Sequence, residues 1–157
     1  MTNTFIRREN FADLRWLVVA MVFILLAASR TLTHADDYVL EQDVMVPMRD
    51  GVRLATDIYR PNKDGVAEDE PLPVILARLP YNKQGSKTMG AYYATHGYVF
   101  VAQDTRGRYN SEGVWHMLTD DGPDGVDCAA WIGKQSWSDG KIGMIGTSYF
   151  GGTQHAM

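Results

Sequence analysis

The sequence has little cysteine and little that could hold a metal ion. Cys128 is the only cysteine among 157 residues, so no disulfide can form within the chain. Its neighbours are typical of a buried helix position, where cysteine behaves as a small apolar residue. The four histidines are scattered and have no cysteine partner at metal-ligand spacing. The pattern therefore predicts no metal site and no other cofactor.

Clusters of positive charge are also absent, and the formal net charge is −4. The first 35 residues hold four of the 15 basic and two of the 19 acidic residues, which leaves 11 and 17 in the remainder, a formal charge of −6. This balance argues against nucleic-acid binding and against docking on anionic lipid. No internal repeat or low-complexity tract is visible, and a hydrophobic content of 45% is typical of a globular domain.

Residues 1–35 resemble an export signal. Three arginines, at positions 7, 8 and 15, precede an uninterrupted apolar run of 13 residues, Trp16 to Ala28. In a helix this run covers roughly 20 Å, which is less than the roughly 30 Å of a bilayer core. We therefore expect a cleaved signal that ends near Ala35, with an uncleaved membrane anchor as the alternative. The expected location is secreted or periplasmic.

Two kinds of strand follow the signal. Apolar and polar residues alternate from Tyr38 to Met48, Arg49-Asp50-Gly51 is typical of a hairpin turn, and Val52 to Tyr59 is the returning strand. The polar stretch 60–70 is expected to be a solvated loop. After it, Pro73 to Arg78 and Tyr98 to Ala102 are continuous apolar runs, typical of strands buried on both faces.

Helix-length segments separate these buried strands. Residues 87–96 and 124–131 have helical composition, Ser138-Asp139-Gly140 is expected to be a turn, and a short strand, 141–145, precedes a last helix that starts at Ser148 or Tyr149. Parallel strands need long crossovers, so the order predicts an α/β sheet with an antiparallel edge. Because further parallel strands are unaccounted for, we expect a truncated N-terminal part of a larger domain.

The strongest chemical signal lies at Gly146-Thr147-Ser148-Tyr149, between the short strand and the last helix. A serine on a sharp strand-to-helix turn has its hydroxyl exposed above the sheet, and small neighbours let the two backbones approach. The helix N-terminus favours negative charge there. The general pattern places glycine two residues after the serine, whereas this chain has Phe150 at that position. A glycine-rich turn with an incidental serine is the alternative.

Four segments together resemble the CocE/NonD hydrolase family, whose members include X-Pro dipeptidyl-peptidases, esterases and acylases. The segments are Met48–Ala55, Arg78–Lys83, Gln103–Gly113 and Trp137–Tyr149, in this order and at suitable spacing. In this family tyrosine follows the serine and glycine comes three places after it, as here. The resemblance implies the N-terminal portion of an α/β-hydrolase fold in residues 36–157, with a leading antiparallel β-hairpin.

The resemblance also implies roles for three residues. Ser148 matches the nucleophile, the backbone N–H of Tyr149 matches one donor of the oxyanion hole, and the hydroxyl of Tyr81 matches the other. A phenol at the end of a strand can donate a hydrogen bond to a tetrahedral oxyanion. Without the resemblance, Tyr81 would be interpreted as a packing residue in a loop.

Other polar residues are expected to be structural. Asp104 precedes the serine, whereas the acid and the histidine follow it in α/β-hydrolases, so we expect Asp104 and Arg106 to form ion pairs that stabilise their loop.

His155 lies seven residues after Ser148, about 10 Å along a helix, and is too far to accept its proton. His96 and His116 are expected to be structural or surface residues. Three tryptophans, Trp115, Trp131 and Trp137, are expected to pack, with substrate contact as the alternative for Trp115.

The predicted activity is hydrolysis of an ester or amide bond through an acyl-serine intermediate, with a small ester, amide or short peptide as substrate. We expect the histidine and the acid beyond Met157, which would leave the 157 residues alone nearly inactive. The alternative is a non-catalytic secreted fragment or binding module. These residues do not distinguish a peptidase from an esterase.

Overall fold

The computed structural model describes residues 38–63 and 65–157. The expected signal in residues 1–35 and its boundary lie outside the described residues. In the described ranges, no helix combines the length and the apolar character needed to cross a membrane.

The described residues form a mixed sheet with helices beside it. The strands are β1 (Tyr38–Pro47), β2 (Arg53–Lys63), β3 (Val66–Ala67), β4 (Leu72–Leu79), β5 (Val99–Asp104) and β6 (Ser138–Met144). A 3₁₀ turn, Lys83–Ser86, leads into α1 (Lys87–Thr95), and the later helices are α2 (Asp121–Ile132) and α3 (Tyr149–Ala156). The strand order is β1-β2-β5-β4-β6, and β3 pairs with β2.

The expected mixture of strand directions is confirmed. β1 and β2 pair antiparallel across the turn at 48–52, in which Gly51 has a φ of 87°. β2 also pairs antiparallel with β5, whereas β4 pairs parallel with β5 on one side and with β6 on the other. Each parallel connection contains a helix, because a parallel pair cannot be joined by a tight turn.

Three boundaries differ from the sequence-based expectation. The segment 60–70 is not a loop throughout, because β2 continues to Lys63 and β3 pairs with its end. Ser138-Asp139-Gly140 belongs to β6 rather than to a turn, and the pairing of β6 with β4 is irregular between Leu72 and Val74. α2 begins at Asp121 rather than at residue 124, since a proline, here Pro123, is tolerated in the first turn of a helix.

Two apolar clusters cover the two faces of the sheet. On one face, strand residues such as Leu76 and Val101 pack with Cys128 and Ile132 of α2. On the other face, Tyr59 and Phe100 are grouped with residues of α1 such as Ala94. The buried position of Cys128 is therefore confirmed. Side chains alternate along β4 and β5, so neighbouring residues of one strand lie on opposite faces of the sheet.

Tyr59 makes the stability of this core sensitive to alkaline pH. Burial, with a smaller contribution from the Asp57 charge, raises the pKa of Tyr59 to about 12. A group whose pKa is raised on folding contributes stability below its unfolded pKa, and that contribution disappears as pH rises through the folded value. We expect a loss of roughly 2 kcal/mol between pH 10 and 12, measured by urea denaturation. Tyr59→Phe should reduce the loss, and an equal loss in this variant would contradict the assignment.

Candidate active site

Ser148 occupies a sharp turn between β6 and α3. Its backbone has φ 59° and ψ −126°, a conformation that is unfavourable for a residue with a side chain. The serine is exposed and directly precedes the helix. Strain of this kind persists where the surrounding structure imposes it, and it aims the hydroxyl away from the sheet. The predicted strand-turn-helix context is therefore present.

Gly146 lets the strand and the helix approach. Its φ is 143°, and a Cβ built on it would lie 2.1 Å from the Cβ of Phe150. Phe150, which departs from the general pattern, therefore packs directly against the turn.

We expect Gly146→Ala to destabilise the protein by about 3 kcal/mol, because the methyl group adds a clash with the Phe150 side chain to an unfavourable φ. The matched control is Gly140→Ala, since Gly140 has a φ of 83° but open space around its Cα. Thermal denaturation of both variants separates the two contributions. Equal destabilisation would show that the contact with Phe150 is unimportant.

Tyr81 follows the end of β4 and lies against the residues after Ser148. Its ring stacks on Phe150 with centroids 5.8 Å apart, and meets the ring of Tyr149 edge-on at 6.3 Å. More than half of the Tyr81 side chain, 56%, is exposed. The structure thus places Tyr81 against Tyr149 and Phe150, the two residues that follow Ser148.

The Tyr149 hydroxyl has a role that sequence reasoning missed. It donates a 2.7 Å hydrogen bond to Asp121 Oδ2 and accepts from the Leu118 backbone N–H at 3.0 Å and from Trp115 Nε1 at 3.3 Å. Burial raises the pKa of the phenol, and the Asp121 hydrogen bond raises it further. The side chain therefore fixes the 115–118 loop, while the N–H at the first position of α3 has no helical partner.

We expect Tyr149→Phe to lower the free energy of unfolding by about 2 kcal/mol, because Asp121 and Leu118 lose a buried partner. Since the resemblance gives Tyr149 a role only through its backbone N–H, which phenylalanine keeps, kcat should change by no more than a few-fold. Urea denaturation and ester kinetics test both statements, with exposed Tyr98→Phe as the control. A large loss of kcat without loss of stability would contradict the structural role of the phenol.

A cavity of about 200 Å³ lies beside these residues. It is lined by Pro80, Tyr81, Arg108, Trp115, Met117 and Tyr149. Arg108 donates to the Pro80 carbonyl at 3.1 Å, and its guanidinium lies 5.2 Å from the Trp115 ring centre. Trp115 therefore borders the cavity, whereas Trp131 and Trp137 pack in the apolar core as expected.

Buried charged side chains connect β4 with α2, whose Asp121 also accepts from the Tyr149 hydroxyl. The fully buried Arg78 donates to Gln103 Oε1 at 2.9 Å and lies 3.7 Å from Asp121 and 4.0 Å from Asp124. Arg106, which is more exposed than Asp124, binds Asp124 Oδ1 through its guanidinium at 2.6 Å. Arg78 lies within a recognised motif, but its partners are distant in sequence, so no local pattern identifies them.

The ion pairs expected of Asp104 and Arg106 are present. Arg106 pairs with Asp124 and, at 2.7 Å, with Asp50, and these hydrogen bonds raise the pKa of Arg106. Asp104 accepts from the Lys83 backbone N–H at 2.8 Å, and burial raises the pKa of its carboxyl.

The three histidines of the described residues are exposed, which agrees with the surface alternative for His96 and His116. His96 and His155 are exposed, and His116 lies 3.3 Å from Asp120 in an exposed loop. Among the described residues, no group of three or more potential ligands could hold a metal ion. The described residues thus include an exposed serine that directly precedes a helix.

Comparisons with known proteins identify the family and the fold to which this chain is similar. The profile of the family described as X-Pro dipeptidyl-peptidase (S15 family) matches residues 50–157. The cocaine esterase of Rhodococcus sp. (strain MB1 Bresler) is 46% identical over 124 residues, which cover 75% of this chain and 21% of that protein.

Two solved structures show the same fold. An α-amino acid ester hydrolase, labelled with selenomethionine, superposes with a TM-score of 0.66 at 32% identity, covering 80% of this chain and 25% of that one. A CocE/NonD family hydrolase from Staphylococcus aureus gives a TM-score of 0.65 at 28% identity, covering 74% and 24%. The chain thus has the α/β-hydrolase type of fold, with the leading β1–β2 hairpin, and spans about a fifth of the curated relative.

Proposed function

The chain belongs to the X-Pro dipeptidyl-peptidase (S15) family, and we propose that the protein is a serine hydrolase that cleaves an ester bond through an acyl intermediate on Ser148. The observation that carries this proposal is the backbone of Ser148, whose φ of 59° places an exposed hydroxyl at the N-terminus of α3. A strained, exposed serine on such a turn is the arrangement that nucleophilic catalysis requires.

The surrounding donors suit the charge that develops during the reaction. Attack by Ser148 Oγ converts the substrate carbonyl oxygen into an oxyanion. The proposed donors to this oxygen are the backbone N–H of Tyr149 and the hydroxyl of Tyr81. Donors fixed before the reaction stabilise the transition state without having to reorganise. The N-terminal end of α3 adds a favourable partial positive charge.

Acyl transfer also needs a base, and we place it after Met157. In α/β-hydrolases the acid and the histidine follow the nucleophile in the chain. The histidine takes the proton of Ser148 during attack and returns it to the leaving group. Water then cleaves the acyl-enzyme, with the same histidine as base.

An ester is the favoured substrate for two reasons. The relative with 46% identity is named an esterase, and the cavity beside Tyr81 has aromatic and apolar walls formed by Trp115, Met117 and Tyr149. Cleavage of X-Pro peptides is the second candidate, and the family description favours it. A non-catalytic secreted module is the alternative from a different functional class.

The test is steady-state and burst kinetics of the protein expressed from its complete gene. A p-nitrophenyl acyl ester and an Ala-Pro p-nitroanilide are compared at equal concentrations. We expect a burst of p-nitrophenol with one equivalent per enzyme, followed by turnover, and a higher kcat/KM for the ester. A higher kcat/KM for the anilide would favour a peptide over an ester as the substrate. Absence of both activities would contradict the hydrolase and favour the non-catalytic binding module.

We also propose that the protein is exported. We place residues 1–35 as a signal for secretion or delivery to the periplasm, because a basic start precedes 13 apolar residues. Residues 36–157 then form the N-terminal part of the catalytic domain. N-terminal sequencing of the protein isolated from its source should begin near Asp36. A start at Met1 would contradict cleavage and favour the uncleaved membrane anchor.

A further inference from the structure

The segment that carries Tyr81 is held in an unfavourable conformation. Asn82, the next residue, has φ 80° and ψ 110°. A non-glycine residue with positive φ persists only where neighbouring contacts impose it. Asn82 Oδ1 accepts from the Gln84 backbone N–H at 3.0 Å, which is a contact within the same turn. A second, longer-range contact is therefore needed to fix the turn relative to the sheet.

Lys83 provides that contact. Its side chain is 1% exposed, and Nζ lies 2.7 Å from Asp43, 3.2 Å from Asp57 and 3.9 Å from Asp104. The three carboxylates come from an irregular position in β1, from β2 and from the end of β5. The Lys83 backbone N–H also donates to Asp104 at 2.8 Å. Both ends of Lys83 are thus attached to the sheet.

Burial of this many charged groups is an unfavourable means of stabilising a fold. One ammonium group faces three carboxylates, and two buried oxygens, Asp57 Oδ2 and Asp104 Oδ2, have no hydrogen-bond partner. Burial opposes the charge on Lys83, but the hydrogen bond to Asp43 and the charges of Asp57 and Asp104 outweigh it, so the pKa of Lys83 is raised. Buried ion clusters of this kind contribute little net stability. What they provide is a defined geometry.

The geometry points to Lys83 as a positioning residue for Tyr81, two residues before it. By holding the turn against β1, β2 and β5, Lys83 keeps the Tyr81 hydroxyl at a fixed distance from the oxygen that develops negative charge beside Ser148. This inference rests on the proposed function, since it assigns a purpose to Lys83 only if Tyr81 donates to an oxyanion. A displacement of about 1 Å in such a donor is enough to lower kcat about 100-fold.

The test is a double-mutant cycle in the protein expressed from its complete gene. Lys83→Met, Tyr81→Phe and the double variant are compared with the parent for kcat and KM on a p-nitrophenyl ester. We expect K83M to lower kcat about tenfold or more with little change in KM. In the Y81F background the same change should have almost no effect, because no hydroxyl remains to be positioned. Lys141→Met is the matched control, since Lys141 is 83% exposed and also pairs with an aspartate.

The outcomes separate this inference from the proposed function. If K83M lowers kcat by the same factor with and without the Tyr81 hydroxyl, Lys83 is only structural and the inference is overturned. If Y81F leaves kcat unchanged, the inference also fails, although the serine mechanism stands as long as S148A is inactive. If S148A keeps full activity, the proposed function itself has failed.

A milder variant covers the case in which K83M does not fold. Asp43→Asn keeps Lys83 paired with Asp57 and Asp104 but removes the carboxylate at 2.7 Å, and the Asp43 side chain is half exposed. We expect D43N to lower kcat several-fold in the parent and not in the Y81F background. An equal reduction in both backgrounds, or no reduction in the parent, overturns the inference.

Discussion

Replacing Ser148 with alanine is expected to lower kcat for ester hydrolysis by about 10⁶-fold, the scale seen when a triad serine is removed. Without Oγ no acyl-enzyme can form, so the burst of p-nitrophenol should disappear as well. Stability should change little, because Ser148 is exposed and alanine and serine carry a similar penalty at positive φ. Stopped-flow kinetics and thermal denaturation measure the two effects.

The matched control is Ser136→Ala, because Ser136 is an exposed serine in the loop before β6. It should keep the parent kcat and burst. If S148A retained more than about 1% of the parent kcat, the nucleophile would have to be another residue. The turn around Ser148 would then be only a feature of the fold.

Replacing Tyr81 with phenylalanine is expected to lower kcat by about 10²- to 10³-fold, the usual effect of removing one oxyanion donor. The ring contacts with Phe150 and Tyr149 do not involve the hydroxyl, so they should persist. Because the donor acts on the transition state rather than on the bound ester, KM should remain nearly constant. Steady-state kinetics on a p-nitrophenyl ester measures both values.

Tyr92→Phe is the control for this change, because Tyr92 is 57% exposed and Tyr81 is 56% exposed. The Tyr92 ring stacks on His96 at the end of α1, away from the cavity residues. Its kcat should equal that of the parent. A Y81F variant with unchanged kcat would remove Tyr81 from the oxyanion hole and leave the Tyr149 N–H as the donor that remains.

The sheet could be predicted because its signals are local. The runs at 73–78 and 98–102 are apolar on both faces, and a strand buried on both faces produces that composition. The hairpin was visible from alternation and from the Asp50-Gly51 pair. The start of β6 was missed because Ser138–Gly140 has turn-like residues, and only its irregular pairing with β4 makes it a strand.

The supporting network could not be predicted in the same way. The partners of Lys83 are Asp43, Asp57 and Asp104, which are separated by at least 21 residues from it. Their proximity follows from the order β1-β2-β5-β4, which brings four distant segments together. The same holds for the contact between the Tyr149 hydroxyl and Asp121. Sequence reasoning found the residues of the proposed chemistry, and the topology shows what holds them.

The most direct test of the account is labelling of the native protein from its source with a fluorophosphonate probe, followed by mass analysis of the labelled peptide. The probe reacts with a serine only when that serine is activated as a nucleophile. We expect one label per molecule, located on Ser148. A folded native protein that takes no label, or takes it on another residue, would contradict it.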